Sequence, residues 1–323
     1  MAKLKSIIGC EITTNEIRAV EIAKENGAYK ILAMGYMPLE EGIIGEAFIR
    51  DSVAFNDALT QLIASGNFQT TDVAIGINNE NVLMRYASFP KVDNDKLRNM
   101  ILLQAQEFIP IPIQEMEVDF VVAGETTGED DTPQVNVMLI AARKQMLEGY
   151  IKDFTAAKLQ VQEIDSSVLS YCRGLAKLSE GKRYCLVNIT DDVLNFIVVE
   201  ENEIAMVRSI TISDRNRPAV EAVFKGSRDN SYTEEDVEAV TSFLTSEISS
   251  TISYYAMQNS KPIEKIYFIM NSSVADKILP GIAVNVFVPM EIPAFYPELQ
   301  AESVTSLGEY ASCIGIAISS LEG

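Results

Sequence analysis

The chain has no histidine and no tryptophan, only four cysteines, and 26 basic residues against 46 acidic ones. Without histidine, Ser-His-Asp and Cys-His catalysis are excluded. Cys10, Cys172, Cys185 and Cys313 lie far apart in apolar runs and form no CxxC pair, so they read as free thiols of a reducing compartment rather than disulfides or a zinc site. The net charge of −20 repels nucleic acid and anionic lipid, since both require a basic face. No apolar run approaches the roughly 18 residues that span a bilayer, and Met1-Ala2-Lys3-Leu4-Lys5-Ser6 lacks a signal-peptide core. A cytoplasmic protein without direct membrane insertion is expected.

What is present is enough apolar material, 47% of 323 residues, for more than one core, so two or more lobes are expected. Two stretches share one pattern: Gly9–Ile22 and Leu186–Val199. Each has an apolar strand, then Glu or Asn followed by Ile-Thr, a polar turn, and an alternating apolar strand starting at Ile17 or Leu194. Alternation is the period of a half-buried strand, and the polar tetrad is a hairpin turn. A hairpin near the start of each half predicts two related halves.

Between the hairpins, strands are predicted at Tyr29–Tyr36, Asp72–Ile77 and Val82–Ala87, with a helix over Ala54–Ser65 presenting Phe55, Leu59, Leu62 and Ile63 on one face. A second unit follows Phe89-Pro90-Lys91. It comprises a helix capped by Asp93 or Asp95 and stopped by Pro110 and Pro112, strands Glu117–Ala123 and Gln134–Ala141, a helix Lys144–Ala157 and a strand Gln160–Ile164. Asp165–Leu178 reads as a helix, Ile204–Ile212 as a strand and Arg215–Asn230 as irregular. Thr233-Glu234-Glu235-Asp236 opens a long helix, with the Thr233 hydroxyl placed for the N–H of Asp236. Strands Ile263–Met270 and Val284–Val288, with helices Ser272–Leu279 and Gly308–Leu321, complete the reading.

In order and spacing, these pieces resemble the actin-like ATPase superfamily, and within it the PilM-like proteins of type IV pilus and type II secretion machinery. The pieces are the two hairpins, Ala74–Ile77 with Val82–Arg85 and Phe89-Pro90-Lys91, Gln104–Pro110, Met138–Lys144, Glu247–Tyr255 before Ile263–Tyr267, and Ala311–Ile318. The resemblance implies an α/β, actin-like (ribonuclease H-like) two-lobe fold with a small α+β domain inserted in the first lobe. The expected division gives residues 1–90 and 165–183, with the helix 308–323, to the first lobe. It gives 91–164 to the insertion and 184–307 to the second lobe, with a helical subdomain at about 213–260. In such folds the two hairpins pinch a ligand's phosphates from opposite sides.

The resemblance puts ATP contacts at Thr13, Thr14, Asn15, Arg18, Asn188, Thr190, Asp191, Asn271 and Ser272, and a magnesium role at Glu11. The family usually has an acid and then glycine in each phosphate turn. Here the glycine positions hold Thr13 and Thr190, and Asn188 replaces the second acid. Glycine lets backbone N–H groups approach a phosphate closely, whereas β-branched threonine does so poorly. Glu11, Glu16, Asp191 and Asp192 surround the turns with only Arg18 opposite in sign. Binding of ATP and Mg²⁺ is therefore expected to be weak or lost, and ATPase activity weak or absent.

A scaffold is the preferred reading. By resemblance, such a protein holds the cytoplasmic N-terminal tail of a PilN-like membrane protein in a groove between the first lobe and the insertion, and meets other platform proteins or further copies of itself. Leu103, Phe108 and Ile109 are the candidate groove residues. The rivals are an ATP-binding switch of the same machinery, an FtsA-like division protein and, more distantly, a sugar-kinase relative.

Overall fold

A computed structural model describes residues 5–128, 130–176, 183–190, 192–201, 203–225, 231–259, 261–270, 272–293, 299 and 307–322. The expected site residues Asp191 and Asn271 lie outside these. The chain opens with strands β1 (Ser6–Ile12), β2 (Glu16–Glu25) and β3 (Ala28–Pro38), then a small hairpin of β4 (Ile44–Gly45) and β5 (Phe48–Ile49). Helix α1 (Ser52–Ser65) follows, its first turn capped by the Asp51 carboxylate, which accepts from the N–H groups of Val53 and Ala54 at 3.0 Å. Phe55, Leu59 and Leu62 are buried as their spacing predicts.

Next come β6 (Asp72–Ile77), β7 (Val82–Pro90), α2 (Asn94–Phe108), β8 (Met116–Thr127), β9 (Pro133–Arg143), α3 (Lys144–Ala156), β10 (Gln160–Ser166) and α4 (Ser167–Ala176). The first sheet has the order β10-β6-β1-β2-β3, with β10, β6 and β1 parallel and β1, β2 and β3 antiparallel. A separate sheet, β7-β9-β8, carries α2 on one face through Leu97, Ile101 and Phe89.

The expected boundaries of the insertion therefore move. Strand β7, expected in the first lobe, pairs along its whole length with β9. Helix α3 and strand β10, expected in the insertion, belong with the first sheet: β10 pairs with β6, and Tyr150 and Phe154 of α3 pack among Phe55 and Leu59. The insertion is the β7-α2-β8-β9 unit. Proline and charge at Phe89-Pro90-Lys91 mark a turn inside it rather than its edge.

The second half contains β11 (Tyr184–Ile189), β12 (Val193–Glu200), β13 (Glu203–Thr211), α5 (Arg217–Lys225), α6 (Glu234–Asn259), β14 (Lys265–Ile269), α7 (Ser272–Ala283) and β15 (Met290–Glu291), followed by α8 (Ala311–Glu322). Its sheet order, β15-β14-β11-β12-β13, repeats the first sheet strand for strand and direction for direction. The repeat extends to an irregularity: the β2–β3 register shifts after Glu21, and the β12–β13 register shifts after Val198, the corresponding residue.

Three local expectations change. Residues 217–225 of the stretch read as irregular form α5, whose Val220 and Val223 are buried against the second sheet. The strand expected at Val284–Val288 is replaced by the two-residue β15, since α7 runs on to Ala283 through Pro280. The hairpin strands are not half-buried: Val193 to Val199 are all buried, because α5, α6 and α7 cover one face and the first lobe with α8 covers the other. The Thr233 hydroxyl accepts from the Asp236 N–H at 3.2 Å, as its sequence position implies.

Helix α8 lies on β1 and β2 with Ala311 to Ile318 buried. Gly9 makes this possible, for a Cβ there would lie 1.8 Å from the carbonyl oxygen of Cys313. Helices α4 and α8 and the inner face of the second sheet share one core through Val168, Tyr171, Ile314, Leu186 and Ile197.

Candidate functional site

The two hairpin turns close in the same way. In the first, the Thr13 N–H donates to the Glu16 carbonyl at 3.0 Å, and the Thr13 hydroxyl accepts from the N–H groups of Glu16 at 3.2 Å and Asn15 at 3.4 Å. In the second, the Thr190 N–H donates to the Val193 carbonyl at 2.9 Å, and its hydroxyl accepts from the Val193 N–H at 3.1 Å. That hydroxyl also reaches the Asp192 carboxylate at 2.8 Å. The threonines that stand at the glycine positions thus satisfy, within each turn, donors that a phosphate would require. Thr14 is half-buried beside them, and the Ser272 backbone opens α7.

Two residues before each threonine lie Glu11 and Asn188, and across each hairpin stand Arg18 and Asn195. These positions are joined by a buried chain of hydrogen bonds. The Ser209 hydroxyl donates to Asn195 Oδ1 (2.6 Å), and Asn195 Nδ2 donates to Asn78 Oδ1 (2.7 Å). Asn78 Nδ2 donates to Asn188 Oδ1 (2.7 Å), and Asn188 Nδ2 reaches the Tyr171 oxygen at 3.4 Å. The Tyr171 hydroxyl donates to Glu11 Oε1 at 2.9 Å. Asn78 follows β6 of the first lobe, so it is inserted between two amides of the second.

Charge around this chain is mostly negative. Burial pushes the Glu11 carboxyl up, against the pull of Arg18 and of the Ser167, Tyr171 and Ser312 hydroxyls. Burial likewise raises Asp192, opposed by the Thr190 hydroxyl and reinforced by Glu80. The Arg18 guanidinium is engaged by Glu16 and donates to the Glu309 carbonyl at 3.0 Å. Among the described residues no group of three or more Cys, Asp or Glu is placed to hold a metal. The Tyr171 phenol fills the space between Glu11 and Asn188 and occupies the Glu11 carboxylate with a hydrogen bond. The described residues therefore do not fit a magnesium triphosphate.

A second feature lies between the insertion and the first lobe. Strand β8 ends the three-stranded sheet and β10 ends the first sheet, and a groove of about 340 Å³ lies between them. Ile77, Val82, Ile140, Leu147, Ile164 and Leu169 give it an apolar lining, and Glu117, Asp119, Glu163 and Asp165 add four carboxylates. A larger hollow, about 710 Å³, opens beside Tyr86, Met206 and Tyr254, but its Arg208 is already engaged by Glu247 at 2.9 Å.

The family model for the type IV pilus assembly protein PilM matches residues 9–212. The chain belongs to the PilM family. Its structure is similar to that of a PilM-PilN type IV pilus biogenesis complex, with a TM-score of 0.83 at 19% identity over 98% of this chain and 99% of the other. It also resembles the ethanolamine utilization protein EutJ from Carboxydothermus hydrogenoformans, with a TM-score of 0.56 at 10% identity over 97% and 89% of the two chains. A Bacteroides thetaiotaomicron protein of actin-like ATPase fold and unknown function gives 0.50 at 8% identity over 97% and 99%. At these identities the likeness establishes the fold, which is actin-like.

In this PilM-family chain, Thr13, Asn15 and Arg18 gather at the end of the first hairpin, and Asn188 and Thr190 at the second. Glu11 is linked to Asn188 through the Tyr171 hydroxyl. The three candidate partner residues do not meet at the groove: Ile109 is buried, Phe108 packs on Phe89 with ring centroids 6.0 Å apart, and Leu103 is 84% exposed on α2. Asn78, Tyr171 and Asn195, and the acidic groove residues, were missed. Asn78 and Asn79 directly after a strand were the one local signal, since amides that follow a buried strand need partners if they too are buried.

Proposed function

We propose that the protein is a scaffold of a type IV pilus or related inner-membrane platform. In this reading it holds the N-terminal cytoplasmic tail of a PilN-like membrane protein in the β8–β10 groove, and is peripheral to the membrane through that partner. The observation that carries this reading is the groove itself: an apolar trough between two edge strands, lined with four carboxylates. Edge strands offer main-chain hydrogen bonds to an extended peptide, and apolar hollows between them select alternate side chains. The carboxylates favour a tail with lysine or arginine beside its apolar residues. The similar PilM-PilN complex supports the choice of partner. Among the described residues no helix is long and apolar enough to cross a membrane, which suits attachment through another protein.

The test is fluorescence anisotropy of the full chain with a labelled synthetic tail of the membrane protein encoded beside it. Ile140→Arg and Glu163→Lys are expected to weaken binding at least about tenfold, roughly 1.4 kcal/mol. Leu103→Ala is expected to leave it unchanged. Loss of binding in Leu103→Ala with retention in both groove variants would move the site to α2 and overturn the assignment.

A further inference from the structure

The hydrogen-bonded chain at the lobe junction crosses from one half of the molecule to the other three times. Asn78 bridges into the second lobe at Asn188 and Asn195, and Tyr171 links Asn188 back to Glu11. All five groups are at most 5% exposed. Donors and acceptors alternate without a gap from Ser209 to Glu11. Separating the lobes would strand buried amides, each of which is unfavourable to leave unpaired.

A nucleotide that joined the lobes would have to act through these positions. A cation held by Glu11 would compete with the Tyr171 hydroxyl, and the nucleotide's phosphates would compete with the Thr13 and Thr190 hydroxyls for the turn N–H groups. It would also meet Glu11, Glu16, Glu80 and Asp192. We infer that Asn78, Asn188, Asn195 and Tyr171 form a built-in latch that fixes the lobes against each other, so that lobe closure in this chain does not depend on a magnesium nucleotide. A protein latched in this way holds one shape whatever the nucleotide supply.

This inference concerns the lobe junction, and tail capture at the β8–β10 groove can succeed or fail independently of it. The experiment measures the distance between spin labels at Asp57→Cys on α1 and Lys277→Cys on α7 in the full chain, with Cys172→Ser to prevent stray labelling. The expected result is one narrow distance distribution, unchanged by millimolar Mg·ATP, that broadens in Asn78→Leu and in Tyr171→Phe. Should Asn78→Leu fail to fold, Tyr171→Phe, which removes only a hydroxyl, decides. Three results would overturn the inference: a distribution that narrows only with Mg·ATP, calorimetric Mg·ATP binding tighter than about 100 μM, or variants as narrow as the parent.

Discussion

Replacing Gly9 with alanine tests whether α8 seals the first lobe. A Cβ at Gly9 would sit 1.8 Å from the Cys313 carbonyl oxygen, 2.8 Å from its carbon and 3.0 Å from the Ala317 Cβ. Carbon-to-oxygen contacts relax only near about 3.3 Å, so the helix would have to retreat by about 1.5 Å. The obstacle is backbone on both sides, and no rotamer change can relieve it. Overpacking typically destabilises by about 1–3 kcal/mol. The upper end, about 3 kcal/mol, is expected here because retreat also loosens Cys313, Ile314, Ile316 and Ala317 from the shared core. That is a large share of the roughly 5–15 kcal/mol that holds a folded domain together. Gly149, within α3, is the counterpart: nothing lies within 4 Å of its Cβ position. Alanine there removes only the flexibility of glycine and is expected to stabilise by about 0.5–1 kcal/mol. Urea unfolding followed by circular dichroism should rank Gly149→Ala above the parent and Gly9→Ala well below it. A Gly9→Ala protein within about 0.5 kcal/mol of the parent, the usual range for an inconsequential surface change, would refute the packing argument.

Glu200 accepts from Arg183 Nη2 at 2.9 Å, Lys261 Nζ at 2.5 Å and the Tyr255 hydroxyl at 3.0 Å, and the Arg183 and Lys261 contacts hold its pKa down to about 2. Its folded value lies below the ordinary 4.5, so its stabilisation is complete above that pH and is lost as pH falls toward about 2. Thermal melts across that window should fall less steeply for Glu200→Gln than for the parent, and parallel curves would contradict the assignment. Burial pushes the Cys185 thiol up to about 12 and raises Cys10 and Cys313 as well, while Cys172 is half-buried. A neutral-pH disulfide reagent should therefore label Cys172 first and the other three only on unfolding. Rapid labelling of all four in the native protein would show that the cores are not closed as described.

Strand periodicity and the paired Thr turns make the twofold plan of the molecule legible in the sequence, because a strand followed by a polar turn is a local signal. The insertion boundary was not legible, because only their pairing partners, β9 for β7 and β6 for β10, show to which unit each strand belongs. Residues 217–225 were masked by their charges: Arg217, Glu221 and Lys225 hide a face on which Val220 and Val223 are buried. Ile109 and Phe108 shared the sequence signature of a docking edge, yet the chain buries Ile109 in the insertion and packs the half-buried Phe108 against its core. Tyr171 was invisible for a different reason. Its role depends on Glu11 and Asn188, which lie 160 and 17 residues away, and no pattern within one helix reports such a meeting.

The contact between Gly9 and Cys313 joins the first strand to a helix made some three hundred residues later. On the ribosome, the opening sheet must wait with Ile7, Val20 and Ile22 uncovered until that helix emerges. The second half, whose outer face is covered by its own α5, α6 and α7, has its cladding available sooner. Newly made protein thus passes through an interval in which its first sheet is less finished than the sheet made after it, and a chaperone that shields exposed sheet surface would find its substrate there.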